Sequence, residues 1–193
     1  MRARAATTEA TRERVLEAGV DLFIANSYDD VTLQHVAKRA RVSLPTVLRH
    51  FGSKDALLVE VARTRSAREW RARSVEPGDV RGAARMLATR YEELMPVWWR
   101  YLVLEDRLPA VARAIDEARR GHTGWLAETF APHLPTGRGT KQAVAALVAA
   151  TEIYVWRTWR THLGLTAAEA ERTLGDMLEA LVAHWGSRSR RKT

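Results

Sequence analysis

The chain has 193 residues, 46% apolar and 28% charged, enough length and apolar content to bury a sizeable core. It holds no cysteine, which excludes disulfides and thiolate metal sites. A net charge of +8 favours polyanionic partners, nucleic acid first, although residues 1–54 carry nine Lys/Arg against six Asp/Glu, a net of only +3.

Residues 1–8 read as a disordered basic arm. In 9–25, EATRERVLEAGVDLFIA, the residues Val15, Ala18, Gly19, Leu22 and Phe23 fall on one helical face. Thr8 or Thr11 is a candidate N-cap, and Asn26 a candidate stop. A second helix is predicted over Leu33–Ala40, capped by Thr32, with Leu33, Val36, Ala37 and Ala40 inward. A third runs from Leu44 to about His50, capped by Ser43, with Pro45 in the first turn where no intrahelical N–H is lost. Gly52 stops it, and Ser53 caps a fourth helix reaching about Arg73.

SVEPGD, residues 74–79, reads as a linker. Further helices are predicted over 80–95, 97–107, 110–133, 140–163 and 166–186, with breaks at Met95-Pro96, Leu108-Pro109, PHLPTGRGT and Leu163-Gly164. Thr140 and Thr166 are candidate caps, and the tail 187–193 is expected to be mobile. No strand alternation or internal repeat is visible, so the fold class is all-α. No apolar run reaches the roughly 18 residues of a spanning helix, and MRARAATTEATRER lacks the apolar core of a secretory signal. A cytoplasmic protein without a membrane partner is expected.

Two short helices joined by a tight turn at 33–50 form the pattern of a helix-turn-helix. Its second helix can lie in the DNA major groove with its N-terminal residues at base edges. The inward residues Val36, Ala37, Val42, Val47 and Phe51 would pack on Leu22 and Phe23, leaving polar side chains outside.

TRERVLEAGVDLFIANSYDDVTLQHVAKRARVSLPTVLRHFGSKDALLVEV, residues 11–61, resembles the DNA-binding domain of TetR-family transcriptional regulators. Leu22-Phe23, Tyr28, Thr32, Val36-Ala37, Val42-Ser43, Thr46, His50-Phe51 and Gly52-Ser53-Lys54 carry the likeness. It implies an N-terminal three-helix helix-turn-helix domain over 1–54, and an effector-binding and dimerisation bundle over 55–193. The implied function is transcription regulation: a homodimeric repressor on a palindromic double-stranded operator, released by a small hydrophobic or aromatic effector. The alternative is a dimeric DNA-binding regulator controlled by a protein partner.

The resemblance assigns DNA contacts to Thr32, Arg41, Ser43, Leu44, Pro45, Thr46, Arg49, His50 and Lys54. Thr46 and Arg49 are the expected base readers. Thr32, Ser43, His50 and Lys54 are expected on phosphates, a role compatible with capping because a helix N-terminus attracts phosphate. Three positions depart from the family. Arg41 replaces the usual turn glycine and is either a phosphate contact or a solvated arginine. Leu48 replaces a phosphate-contacting tyrosine. Leu44 and Pro45 either touch thymine methyls or only start the helix.

In the second half the resemblance implies a four-helix dimer interface from the last two helices, with Val144, Leu147, Val155, Leu174, Leu178 and Leu181 as candidates. Effector candidates are Arg90, Trp98, Trp125, Glu152 and Trp159. No enzyme, cofactor or metal site is expected. Gly137-Arg138-Gly139 is too short for a phosphate loop, and no two histidines stand at i and i+4.

Overall fold

The computed structural model describes residues 2–190, and among them there is helix, turn and bend but no strand. The helices are α1 (Arg2–Ala25), α2 (Leu33–Ala40), α3 (Leu44–Phe51), α4 (Lys54–Ala72), α5 (Val80–Leu102) and α6 (Pro109–Thr129). A 3₁₀ turn (Ala131–His133) follows, then α7 (Arg138–Ala150), α8 (Ile153–Arg157) with a π-helical turn (Thr158–His162), and α9 (Ala167–Arg190). No helix of the described residues is long and apolar enough to cross a membrane.

The chain forms two compact units. The first takes the chain to Arg71 together with Val97–Glu117; the second takes Ala72–Pro96 and the chain from Ala118. The unit holding the helix-turn-helix therefore extends well past residue 54.

In the first unit Val15, Ala18 and Phe23 of α1, Val36, Ala37 and Ala40 of α2, and Val47 and Phe51 of α3 are buried with Leu57, Leu58 and Val61 of α4. Each full burial of a large apolar side chain contributes about 1.5–3 kcal/mol, so the short helices α2 and α3, which could not stand alone, are held against α1 and α4. Gly19 lets α4 come close: a Cβ there would meet Val61 Cγ2 at 3.1 Å. The α1 helix starts at Arg2, so residues 2–8, expected as a disordered arm, continue the helix, and Thr11 bonds back to the Thr7 carbonyl instead of capping. Asn26 does end it, its Nδ2 donating to the Leu22 carbonyl at 2.9 Å. Two arginines of the 97–117 segment fasten the far end of α1 and the turn after it. Arg100 donates to the Ile24 carbonyl, and Arg107 pairs with both oxygens of Asp29 at 3.0 Å.

The second unit has its own core, built from Ala83, Ala84, Leu87 and Tyr91 of α5, Leu126 and Phe130, Leu147, Trp156, and Leu174, Leu178 and Trp185 of α9. Four sequence expectations are corrected. The break at Met95-Pro96 is absent, and α5 runs through it. A helical proline forfeits one N–H bond, here the one Glu92 would accept, at about 3 kcal/mol. Buried Leu87 and Tyr91 before it, and Tyr101 and Leu102 after it, hold the helix on either side. Thr140 is not a cap: α7 starts at Arg138 behind Gly137 (φ 69°), and Thr140 donates to the Pro135 carbonyl at 2.6 Å.

The helix expected over 140–163 breaks at Thr151-Glu152, where Glu152 is extended (φ −67°, ψ 135°). The Thr151 carbonyl leaves the helix ladder to accept from the Tyr91 hydroxyl. Finally, Leu147, Leu174 and Leu178, offered as dimer contacts, are fully buried inside one chain and have no surface left for a partner. Val144, Val155 and Leu181 keep partial exposure. The α9 start matches expectation, since Thr166 and Glu169 cap each other reciprocally. Helix α9 continues to Arg190, through part of the tail expected to be mobile; residues 191–193 lie outside the described residues.

Candidate nucleic-acid interface

Thr32 opens α2 in an extended conformation, its side chain accepting from His35 N at 3.2 Å. Ser43 opens α3 in the same way, accepting from Thr46 N at 3.3 Å. Both caps fill one of the amides a helix N-terminus leaves open and place a hydroxyl at its positive end. Ser43 Oγ also lies 2.9 Å from Thr46 Oγ1, so these two residues present a joined pair of hydroxyls at the front of α3.

The turn between the two helices is closed by two backbone bonds: Val42 N to the Ala37 carbonyl at 3.0 Å, and Arg41 N to the Lys38 carbonyl at 3.3 Å. This is the Schellman arrangement, which needs a left-handed residue. Arg41 supplies it at φ 55°, ψ 47°, and is the non-glycine residue with positive φ among those described. The missing glycine therefore does not shift the turn; the arginine adopts the strained backbone, at about 1–2 kcal/mol. Arg41→Gly relieves that strain but loosens the unfolded chain by part of the same amount. The expected net is a stabilisation of about 0.5–1 kcal/mol, read as a higher urea midpoint. An unchanged or lower midpoint would show that the arginine side chain holds the turn.

Val47 and Phe51 seat α3 on the core, so its other face is outside. Pro45 and Arg49 are exposed there, with Thr46 half-buried on one flank. Leu48, on the other flank, is 42% exposed. Not every cation nearby is available. Arg39 is paired with Asp21 at 2.6 Å, whereas Arg41 and Arg49 point out. His50 has its Nε2 buried without a hydrogen-bond partner, so a phosphate contact from it falls to the other ring nitrogen.

Lys54, at the start of α4, sits with Nζ 4.0 Å from the centre of the Tyr28 ring. Tyr28 in turn stacks on Phe23 and donates its hydroxyl to Asp55, and burial together with that carboxylate holds its pKa above the ordinary value. Thus Thr32, Ser43, Thr46, Arg49 and Lys54 are all carried by one packed unit. Tyr28 and Asp55 place the lysine, and Tyr28 was legible in the sequence only as part of the family pattern.

The effector candidates are spread out. Trp125 stacks on His122 (6.1 Å between ring centres, 14° between planes) beneath the Arg73 guanidinium, 5.4 Å away. Trp159 lies edge-on to Trp156 at 6.3 Å, and both Trp125 and Trp159 pack against the second core. Glu152 stands at the helix break. Arg90 is bonded to Glu93 at 2.6 Å on an open cleft lined by Ser74, Val75, Arg85 and Met86. Trp98 belongs to the first unit.

Residues given no site role from sequence make the polar centre of the second unit. Arg73 bonds His122 Nδ1 at 2.8 Å, His122 Nε2 meets Thr151 Oγ1 at 2.8 Å, and Thr151 donates to the Leu147 carbonyl at 2.8 Å. An arginine can only donate, so Nδ1 accepts and Nε2 carries the hydrogen. Glu92 collects Trp156 Nε1 and the Arg160 guanidinium, which holds its carboxyl below the ordinary range. His122 stands four residues before buried Leu126 and seven after buried Ile115, an inward register that periodicity could have revealed.

Residues 15–61 match the profile of the bacterial regulatory proteins of the tetR family. Over 64 residues the chain is 36% identical to the HTH-type transcriptional regulator SrpR of Pseudomonas putida, a match covering 33% of this chain and 30% of SrpR. It is 34% identical over 64 residues to TtgW, an uncharacterized HTH-type transcriptional regulator also of Pseudomonas putida, covering 33% of this chain and 48% of TtgW. The matched segment thus spans under half the length of either relative. A TetR-family transcriptional regulator from Streptomyces coelicolor has the same fold, with a TM-score of 0.74 at 18% identity over 93% of this chain and 83% of that one.

Proposed function

From a chain that belongs to the TetR family of bacterial regulatory proteins, we propose a sequence-specific DNA-binding regulator that acts as a homodimeric repressor on a palindromic operator. The observation that carries it is α3: a short helix seated by Val47 and Phe51, capped by Ser43, with Thr46 and Arg49 on its outer side. Arg49 is assigned to a base edge, since arginine to guanine O6/N7 is the commonest specific contact. Thr32, Ser43 and Lys54 are assigned to phosphates, which set register without carrying sequence information.

One such helix reaches few bases, and two-fold related copies reading half-sites about 34–36 Å apart supply the rest. Val144, Val155 and Leu181, partly exposed on the α7–α9 region, remain the candidates for the pairing face. Repression follows if the dimer sits across a promoter. Release requires an effector that binds the wrongly spaced state more tightly than the operator-bound one; affinity alone shifts nothing. Trp125, which stacks on His122 beneath the Arg73 guanidinium, is the aromatic we assign to such a molecule.

The test is selection of bound sites from random duplex DNA at near-physiological salt. A recovered palindrome with half-sites one helical turn apart is the expected result. Salt-sensitive binding with no motif would refute sequence-specific reading. On the selected operator, Lys54→Ala should weaken binding evenly across sequences and reduce the salt slope by about one unit per subunit. A changed base preference would instead place Lys54 among the readers.

A further inference from the structure

Resting on that reading, we propose that α3 reads thymine methyl groups through an apolar strip formed by Leu44, Leu48 and Pro45, with Leu48 as the residue that sets the preference. At about 100° of rotation per residue, these three side chains occupy one continuous arc of the helix. The arc begins at the buried edge with half-buried Leu44, passes Leu48 and ends at exposed Pro45, directly beside Arg49. Thr46 stands on the opposite flank. Leu48 is 42% exposed on a helix whose packing is already supplied by Val47 and Phe51, both buried.

A leucine there makes no hydrogen bond to a phosphate. What it can recognise is apolar surface, and the major groove offers only one apolar group, the C5-methyl of thymine. The setting selects DNA over an apolar partner. The strip is bordered by exposed Arg49 and by the positive N-terminal end of α3, and exposed Arg41 stands in the preceding turn. These features attract a polyanion. The proposal sets this apolar edge against the base pair next to the one assigned to Arg49.

The experiment replaces each thymine of the selected operator by deoxyuridine, one position at a time. This removes the methyl and keeps every hydrogen-bonding group. Wild-type protein is expected to lose about fourfold in affinity for each methyl contact removed, at one or two positions in each half-site. Leu48→Ala should bind thymine and uracil duplexes equally at a position where wild type discriminates, and Leu48→Met should restore discrimination. Leu48 is partly exposed and α3 is seated by Val47 and Phe51, so Leu48→Ala should stay folded and melt close to wild type, which separates lost reading from lost folding. Indifference of wild type to uracil at every position would overturn the proposal. So would an equal uracil penalty in wild type and Leu48→Ala. Selection of no motif would defeat sequence-specific reading itself, and the thymine preference with it.

Discussion

Arg49→Ala is expected to lower operator affinity by about 1–3 kcal/mol in each half-site and to relax the base preference at a single position. The effect is the largest foreseen at the interface because of what surrounds the residue. Arg49 is exposed at the middle of the outer face of α3, and the fold does not use it: Val47 and Phe51 seat the helix, and Ser43 and Gly52 end it. Its guanidinium is therefore available to a bidentate acceptor, and its removal should leave the melting temperature unchanged. Arg39 is the internal control. It is as basic and also exposed, but Asp21 holds it at 2.6 Å, and Arg39→Ala should cost little affinity. Lysine cannot reproduce the fork of an arginine, so Arg49→Lys should recover bulk binding but not base preference. The measurement is titration of each variant against the selected operator and a set of single-base variants. A loss equal across all sequences would place Arg49 on a phosphate.

The helix-turn-helix was legible because its signals are local and agree with each other. Thr32 and Ser43 cap where a cap is needed, Pro45 falls in a first turn, and the inward residues keep one face. The departure at Arg41 was legible as a conflict, though sequence left open whether the turn would shift; the Schellman bonds at Val42 and Arg41 settle that it does not. The second half was less readable because tertiary contacts override local preference there. Pro96 breaks nothing, since burial on both sides outweighs one lost bond. Thr151 breaks a helix that alanines would have continued, because Tyr91, far away in sequence, takes its carbonyl. Apolar stripes on α7 and α9 do not distinguish the core of one chain from the face of a dimer. Leu147, Leu174 and Leu178 prove to be the former. The effector candidates were least legible, since an aromatic at helical spacing looks the same in a core and in a pocket.

Lowering the pH from 7 to 5 should destabilise the protein by about 2 kcal/mol through His122 alone. Burial, and after it the positive charge of Arg73, push the His122 pKa down from 6.5 to about 3. The sign follows from proton counting. Between those values the unfolded chain binds a proton that the folded state refuses, so stability is complete above about pH 6.5 and declines as pH falls towards 3. A charged imidazole would also have to give up the bond from Arg73, because Nδ1 could no longer accept. The carboxylates held low by partners, Asp29 by Arg107, Glu92 by Arg160 and Glu169 by Thr166, lose their contributions in more acid solution. The interval from pH 7 to 5 therefore separates the histidine from these carboxylates. His122→Gln keeps an acceptor for Arg73 and a donor for Thr151 but has nothing to titrate. Denaturant unfolding of both proteins at the two pH values should show the extra loss in wild type only. Equal losses would mean that His122 takes up its proton while the protein stays folded. The Arg73–His122–Thr151 bonds would then open without unfolding the unit, and could not be what holds α6 to the break between α7 and α8.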